Sequence, residues 1–192
     1  MNAQHEAGVS EDDAELAINN IAEQIGNIEA GIFVMDEGLT STQQGNLPLL
    51  MFQQIFRMCL SWLVLTAVKI EELWRKYGTL ATPYTRERMR AALKEISRRG
   101  MTDLRNKSVA HILDRNTGKP TTPAQIEEAF KMMTQGNALA FIHWLRHPDD
   151  PKAETLSRAL RLFRADIMQA FPKASITMPV STYGTAAGDV EF

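Results

Sequence analysis

LPLLMFQQIFRMCLSWLVLTAVKIEELWRKY, residues Leu47–Tyr77, decides the fold of this chain. Phe52, Ile55, Phe56, Cys59, Leu63, Ala67, Ile70, Trp74 and Tyr77 recur at the three- and four-residue intervals of an α-helix. Met51, Met58, Trp62 and Leu65 add a second apolar strip. A helix apolar on two sides must be covered on two sides. The stretch therefore predicts the central helix of a bundle, or a helix shared between two subunits, from about Leu47 or Pro48 to Tyr77 with a stop at Gly78. Its longest apolar run, Met58–Val68, is interrupted by Ser61 and Thr66. That run is about half a bilayer span, and Gln53, Gln54 and Arg57 precede it, so the expectation is a buried helix and no membrane segment.

Working toward the N-terminus, Asp36–Asn46 reads as a polar loop. Before it, Ile18, Ile21, Ala22, Ile25, Ile28, Ile32 and Phe33 keep helical spacing, which predicts a helix from about Glu11 to Met35. Ser10-Glu11-Asp12-Asp13 resembles a capping box with an acidic first turn. Residues 1–9 read as a frayed, disordered tail.

Toward the C-terminus, Thr85 is read as the cap of a helix to about Arg99, with Gly100 at its C′ position. Thr102 is read as the cap of a helix from Asp103 to about Leu113. Asn116, Gly118 and Pro120 mark a turn over Asp114–Thr121. Thr122-Pro123-Ala124-Gln125 combines a cap, a proline at the first helical position and a glutamine three residues after the cap, opening a helix to about Met133. Asn137 caps another to about Arg146. Asp150-Pro151 is read as the start of the last, to about Phe171, and residues 172–192 as a flexible or extended tail. The expected class is all-α: one helical-bundle domain over residues 10–171.

Composition agrees. Of 192 residues 44% are apolar and 23% charged, ordinary values for a globular chain. A single cysteine, Cys59, excludes an internal disulfide framework. No zinc-type Cys/His spacing occurs, and the acidic N-terminus does not read as a signal peptide, so a cytoplasmic location is expected. The net charge of −2 conceals an asymmetry. Nine of the 23 acidic residues and none of the 21 basic ones lie in residues 1–56, which leaves the remainder at +7. Between Arg86 and Lys107 there are eight basic residues (Arg86, Arg88, Arg90, Lys94, Arg98, Arg99, Arg105 and Lys107) against three acidic ones. On helices such a set can meet a phosphate backbone or remain a solvated face.

The chemistry concentrates in Leu104–Arg115, LRNKSVAHILDR. Histidine exchanges a proton near neutral pH. Arginine can hold a scissile phosphate through two hydrogen bonds. Asn106 can orient either group. Arg105 and His111, six residues apart, differ by about 9 Å of rise and about 120° around a helix. They do not stack on one face; a long Arg can still swing toward a His at that offset, and two copies can converge where two such helices face each other across a dimer axis. With the substrate's own 2′-hydroxyl as nucleophile, RNA cleavage by such a set needs no metal or other cofactor.

RNKSVAH resembles the Arg-x(4–6)-His motif of the HEPN superfamily, in which a polar residue, often Asn, follows the Arg. The abortive-infection type of bacterial HEPN protein is the nearest in pattern, and the likeness extends over the helical body, roughly residues 15–171. Its specific part is about ten residues. The resemblance implies a metal-independent endoribonuclease of a toxin–antitoxin or phage-defence system, acting as a homodimer whose two motifs form one cleft, with a cognate antitoxin as a further partner. It implies catalytic roles for Arg105 and His111 and a supporting role for Asn106. The positive charge around the motif makes Arg98, Arg99, Lys107 and Arg115 the expected RNA contacts. Ile112-Leu113 depart from the family pattern, where many relatives place a basic residue. Some relatives are inactive binding modules, and a non-catalytic helical module is the alternative expectation. Other candidates are weaker. His143 and His147 stand four apart, a spacing compatible with a metal pair, but Asp149 and Asp150 are the sole neighbouring ligands. Glu71-Glu72 and Glu127-Glu128 read as exposed helix faces. No Gly-rich phosphate loop, nucleophile elbow or dinucleotide fingerprint is present.

Overall fold

The structure, a computed structural model, describes residues 9–105, 122–147, 150 and 152–174. These residues form α1 (Glu11–Gln43), α2 (Leu49–Tyr77), a 3-10 turn (Gly78–Leu80), α3 (Pro83–Arg98), α4 (Met101–Leu104), α5 (Pro123–Thr134), α6 (Ala138–Leu145) and α7 (Leu156–Ala170). The described part is all-α, as the periodicities require, and no strand occurs among the described residues.

Two long helices, roughly 50 and 43 Å at 1.5 Å per residue, pack against each other as a hairpin. Ser10 caps α1 by accepting from Asp13 N, and Glu11, Asp12 and Asp13 occupy its positive end. Helix α1 outruns its expected end at Met35 by two turns. Met35 and Gly38 continue its buried face, and the Phe52 ring of α2 lies directly on Gly38, 3.0 Å from where a Cβ would stand. Packing against α2 thus holds helical a segment whose polar composition reads as loop. Along the seam Ile21, Ile28, Leu63, Val64 and Ile70 are fully buried.

Helix α7 closes over α1, and α3 packs on α7. The start of α3 is fixed by Thr82, which caps Thr85 N and donates to Asp166 Oδ2 of α7 at 2.9 Å; its own backbone N–H reaches the same oxygen at 2.7 Å. The expected cap, Thr85, is buried one turn inside the helix, because Pro83 supplies the first helical residue. Helix α7 likewise begins at Leu156 behind a Thr155 cap, later than the Asp150-Pro151 start. The Thr122 capping box, the Asn137 cap and the α2 boundaries agree with the sequence reading. Glu29 joins α1 to the C-terminal helices, forming an ion pair with Arg146 at 2.7 Å and accepting from Arg161 at 3.3 Å and the Ser157 hydroxyl at 3.3 Å.

Helix α2 is covered unevenly. Cys59, Leu60, Leu63, Ala67 and Ile70 face the core, whereas Leu49, Leu50, Met51, Met58 and Trp62 stay exposed. By length and composition alone Leu49–Leu80 would suffice to cross a membrane. Here it is the helix on which α1 and α4 pack.

Neighbouring methionines on α5 test the register. Met133 is wholly buried and Met132 is 62% exposed. Met133→Ala is expected to cost about 2–5 kcal/mol in urea unfolding, and Met132→Ala no more than about 0.5 kcal/mol.

Candidate functional site

Helix α3 ends in a close reversal. Gly100 takes φ +63, a left-handed value that a side chain would strain, and the chain turns at once into α4. Arg99, immediately before it, is the anchor of the region. It is 7% exposed. Its Nε lies 2.8 Å from Glu95 Oε1, and its Nη1 donates to the Met133 carbonyl at 2.7 Å. Its guanidinium carbon stands 5.2 Å from the centre of the Phe141 ring and 5.0 Å from that of Trp144. One side chain thus ties α3 to α5 and α6. The structure gives Arg99 a packing role, unlike the surface RNA contact read from charge.

Arg98 remains exposed and grips Glu95 through two bonds, Nε to Oε2 at 2.7 Å and Nη2 to Oε1 at 2.6 Å. These hydrogen bonds, with the Arg99 charge, hold the Glu95 carboxyl below the ordinary glutamate value of 4.5 despite its partial burial. Burial pushes Arg99 down, and Glu95 opposes the shift.

Helix α4 packs on α2 and α3 through buried Met101 and Leu104. Thr102 does not cap it; the hydroxyl donates instead to Glu71 Oε2 of α2 at 3.1 Å. Helical backbone continues into Arg105 (φ −55, ψ −48), which is half-buried. Asn106, Lys107, His111 and Arg115 lie outside the described residues, as does the rest of the helix expected to reach Leu113.

Helix α3 leans on α7 and α4 and hardly touches α2. A cleft of about 670 Å³ opens between them, lined by Glu71, Trp74 and Arg75 of α2, Gly78, and Arg86 and Arg90 of α3. Gly78 is required there by close approach, since a Cβ would stand 2.9 Å from the Trp74 indole. Arg86 donates to the Thr79 carbonyl at 2.7 Å. Arg88, on another face of α3, lies over the Tyr84 ring at 3.6 Å and pairs with Glu154 at 2.9 Å. The sequence reading included Arg86 and Arg90 in its basic segment but missed Arg75. Its only signal was the position of Arg75 one helical turn after Glu71 on the central helix.

The His143 and His147 rings are 4.9 Å apart, and His147 Nδ1 accepts from Asp150 N at 3.1 Å. No group of three or more His, Cys, Asp or Glu side chains able to hold a metal occurs among the described residues. Cys59 is buried, and desolvation raises its thiol above the ordinary range.

No family model matches the chain, and no curated protein does. Among solved structures, the integron cassette protein Vpc_cass2, from the mobile metagenome of V. paracholerae, is similar with a TM-score of 0.67. The match covers 81% of this chain and 96% of that one at 23% identity. At that identity the likeness speaks for the fold alone.

Two outcomes follow from the Arg99 anchor. Arg99→Ala should cost roughly 2–4 kcal/mol of unfolding free energy, because it leaves a buried carbonyl unpaired and weakens the hold on Glu95. The depressed Glu95 carboxyl contributes stability that is complete above its unfolded value and is lost as pH falls through the lower folded one. Thermal melts between about pH 5 and pH 3 should therefore show a shallower acid loss for Glu95→Gln than for wild type.

Proposed function

We propose that this protein is a HEPN-like, metal-independent endoribonuclease that works as a homodimer. The observation that carries the reading is the run Arg105-Asn106-…-His111 issuing directly from α4, whose Thr102 is bonded to the wall of an arginine-lined cleft. In this reading His111 moves the proton of the 2′-hydroxyl or of the leaving oxygen. Arg105 balances the charge that builds on the phosphate, and Asn106 orients the pair. A second copy supplies the groups that one motif cannot place on the same side, and the exposed Leu49, Leu50, Met51, Met58 and Trp62 of α2 support a subunit contact there. A toxin or phage-defence setting, with an antitoxin as regulator, follows from the motif resemblance.

The same exposed strip favours a second reading, a helical interaction module of this fold without catalysis. It expects Met51→Asp or Trp62→Asp to abolish assembly while Arg105→Ala and His111→Ala change nothing.

Purified protein incubated with single-stranded RNA in EDTA separates the two. Wild type is expected to cleave at least about 100-fold faster than His111→Ala or Arg105→Ala, the usual scale of general acid–base and charge-stabilising contributions. Equal rates for wild type and both variants would remove the nuclease reading.

A further inference from the structure

We infer that the cleft between α2 and α3 is a binding track for the backbone of single-stranded RNA, leading to the motif. The inference rests on the nuclease reading for what the bound strand is used for, and on the geometry of the cleft for the binding itself.

Three guanidinium groups line the cleft against one carboxylate. Arg86 and Arg90 lie four residues apart on one face of α3, and Arg75 stands on the opposite wall. Among the described residues neither Arg75 nor Arg90 has an acidic partner, in contrast to Arg88, Arg98 and Arg99 of the same region. Glu71 is the acidic group of the cleft, and one of its oxygens accepts from Thr102. The remaining excess of positive charge suits a chain of phosphodiesters, which arginine meets with two parallel N–H donors.

The cleft also has an apolar wall. The Trp74 indole is held by the close approach of Gly78 and by an edge contact to Phe163, with ring centres 5.1 Å apart. Leu93 continues that wall one turn beyond Arg90. Cations beside a fixed aromatic surface are the arrangement that binds single strands without reading their sequence, phosphates on the arginines and a base on the ring. Duplex RNA, with its bases stacked inside, offers no face to Trp74.

Position connects the cleft to the chemistry. Glu71 is bonded to Thr102, and Arg105 follows Thr102 by three residues, about 4.5 Å of helix rise. A strand held by Arg75, Arg86 and Arg90 passes Glu71, the residue of the cleft that is bonded to the helix carrying the first motif residue. Basic residues on the far side of α2 are placed differently: Lys69 pairs with Glu23 of α1 at 3.3 Å.

The test uses a fluorescent 2′-O-methyl oligouridylate, which has no free 2′-hydroxyl and so reports binding whether or not the protein cleaves RNA. Anisotropy titrations compare wild type, Arg75→Ala/Arg90→Ala, Trp74→Leu and Lys69→Ala, each checked for an unchanged helical spectrum. The double variant should bind at least about 10-fold more weakly, and its slope of log affinity against log salt should fall by about 1.4, two single-strand phosphate contacts at about 0.7 each. Trp74→Leu should weaken binding with the salt slope retained, and Lys69→Ala should bind as wild type. Uridine monophosphate should compete far less well than the unlabelled oligonucleotide. Wild-type affinity in the double variant, absence of binding by wild type, or equal competition by the mononucleotide would each overturn the track. Binding through these arginines by a protein that leaves ordinary RNA intact would uphold the track and remove the nuclease reading alone.

Discussion

The seam between α1 and α2 is the constraint from which the rest follows. Two helices of this length gain most of their stability by burying one continuous face, since isolated helices are marginal in water. Ile21, Ile28, Leu63 and Ile70 provide that face. Gly31 and Gly38 let it close tightly, with Leu63 and Phe52 resting on them. The shorter helices arrange themselves around the hairpin. Helix α7 covers α1, α3 leans on α7, and α4 is held between α2 and α3. That order leaves α3 off α2, which opens the cleft, and Thr102 of α4 is bonded to Glu71 in its wall.

Arg99 is the second determinant. Its guanidinium is shared among Glu95, the Met133 carbonyl and two aromatic rings, so the turn at Gly100 is fixed from three directions. The direction of α4, and therefore of Arg105, depends on that turn. An arginine of the basic segment thereby serves the candidate site indirectly, by holding its frame. Arg75 and Arg90, which have no such role, are the ones offered to a ligand.

The fold was legible where a local rule is strong. Helix α2 was readable from its period, α5 from its capping box, and the end of α3 from Gly100. It was illegible where packing overrides composition. Asp36–Gln43 is polar yet helical because Gly38 accepts Phe52. Thr82 outcompetes Thr85 as a cap because Asp166, distant in sequence, bonds it. The candidate site was legible as a motif and as a charge excess, but charge does not say which arginine is buried. Arg98 and Arg99 are adjacent, and one is exposed while the other packs under two rings. Arg75 escaped notice because its partners across the cleft come from another helix, and no spacing within α2 announces them.

The central claim is that two copies of the motif meet. A spin label at the exposed Asp103, introduced as Asp103→Cys in a Cys59→Ala background, places one probe on each α4 of the assembled protein. Pulsed dipolar spectroscopy is then expected to give one dominant separation under about 25 Å, two helix diameters side by side. Labels that show no dipolar coupling, or a separation longer than α2 itself at roughly 43 Å, would contradict the composite site.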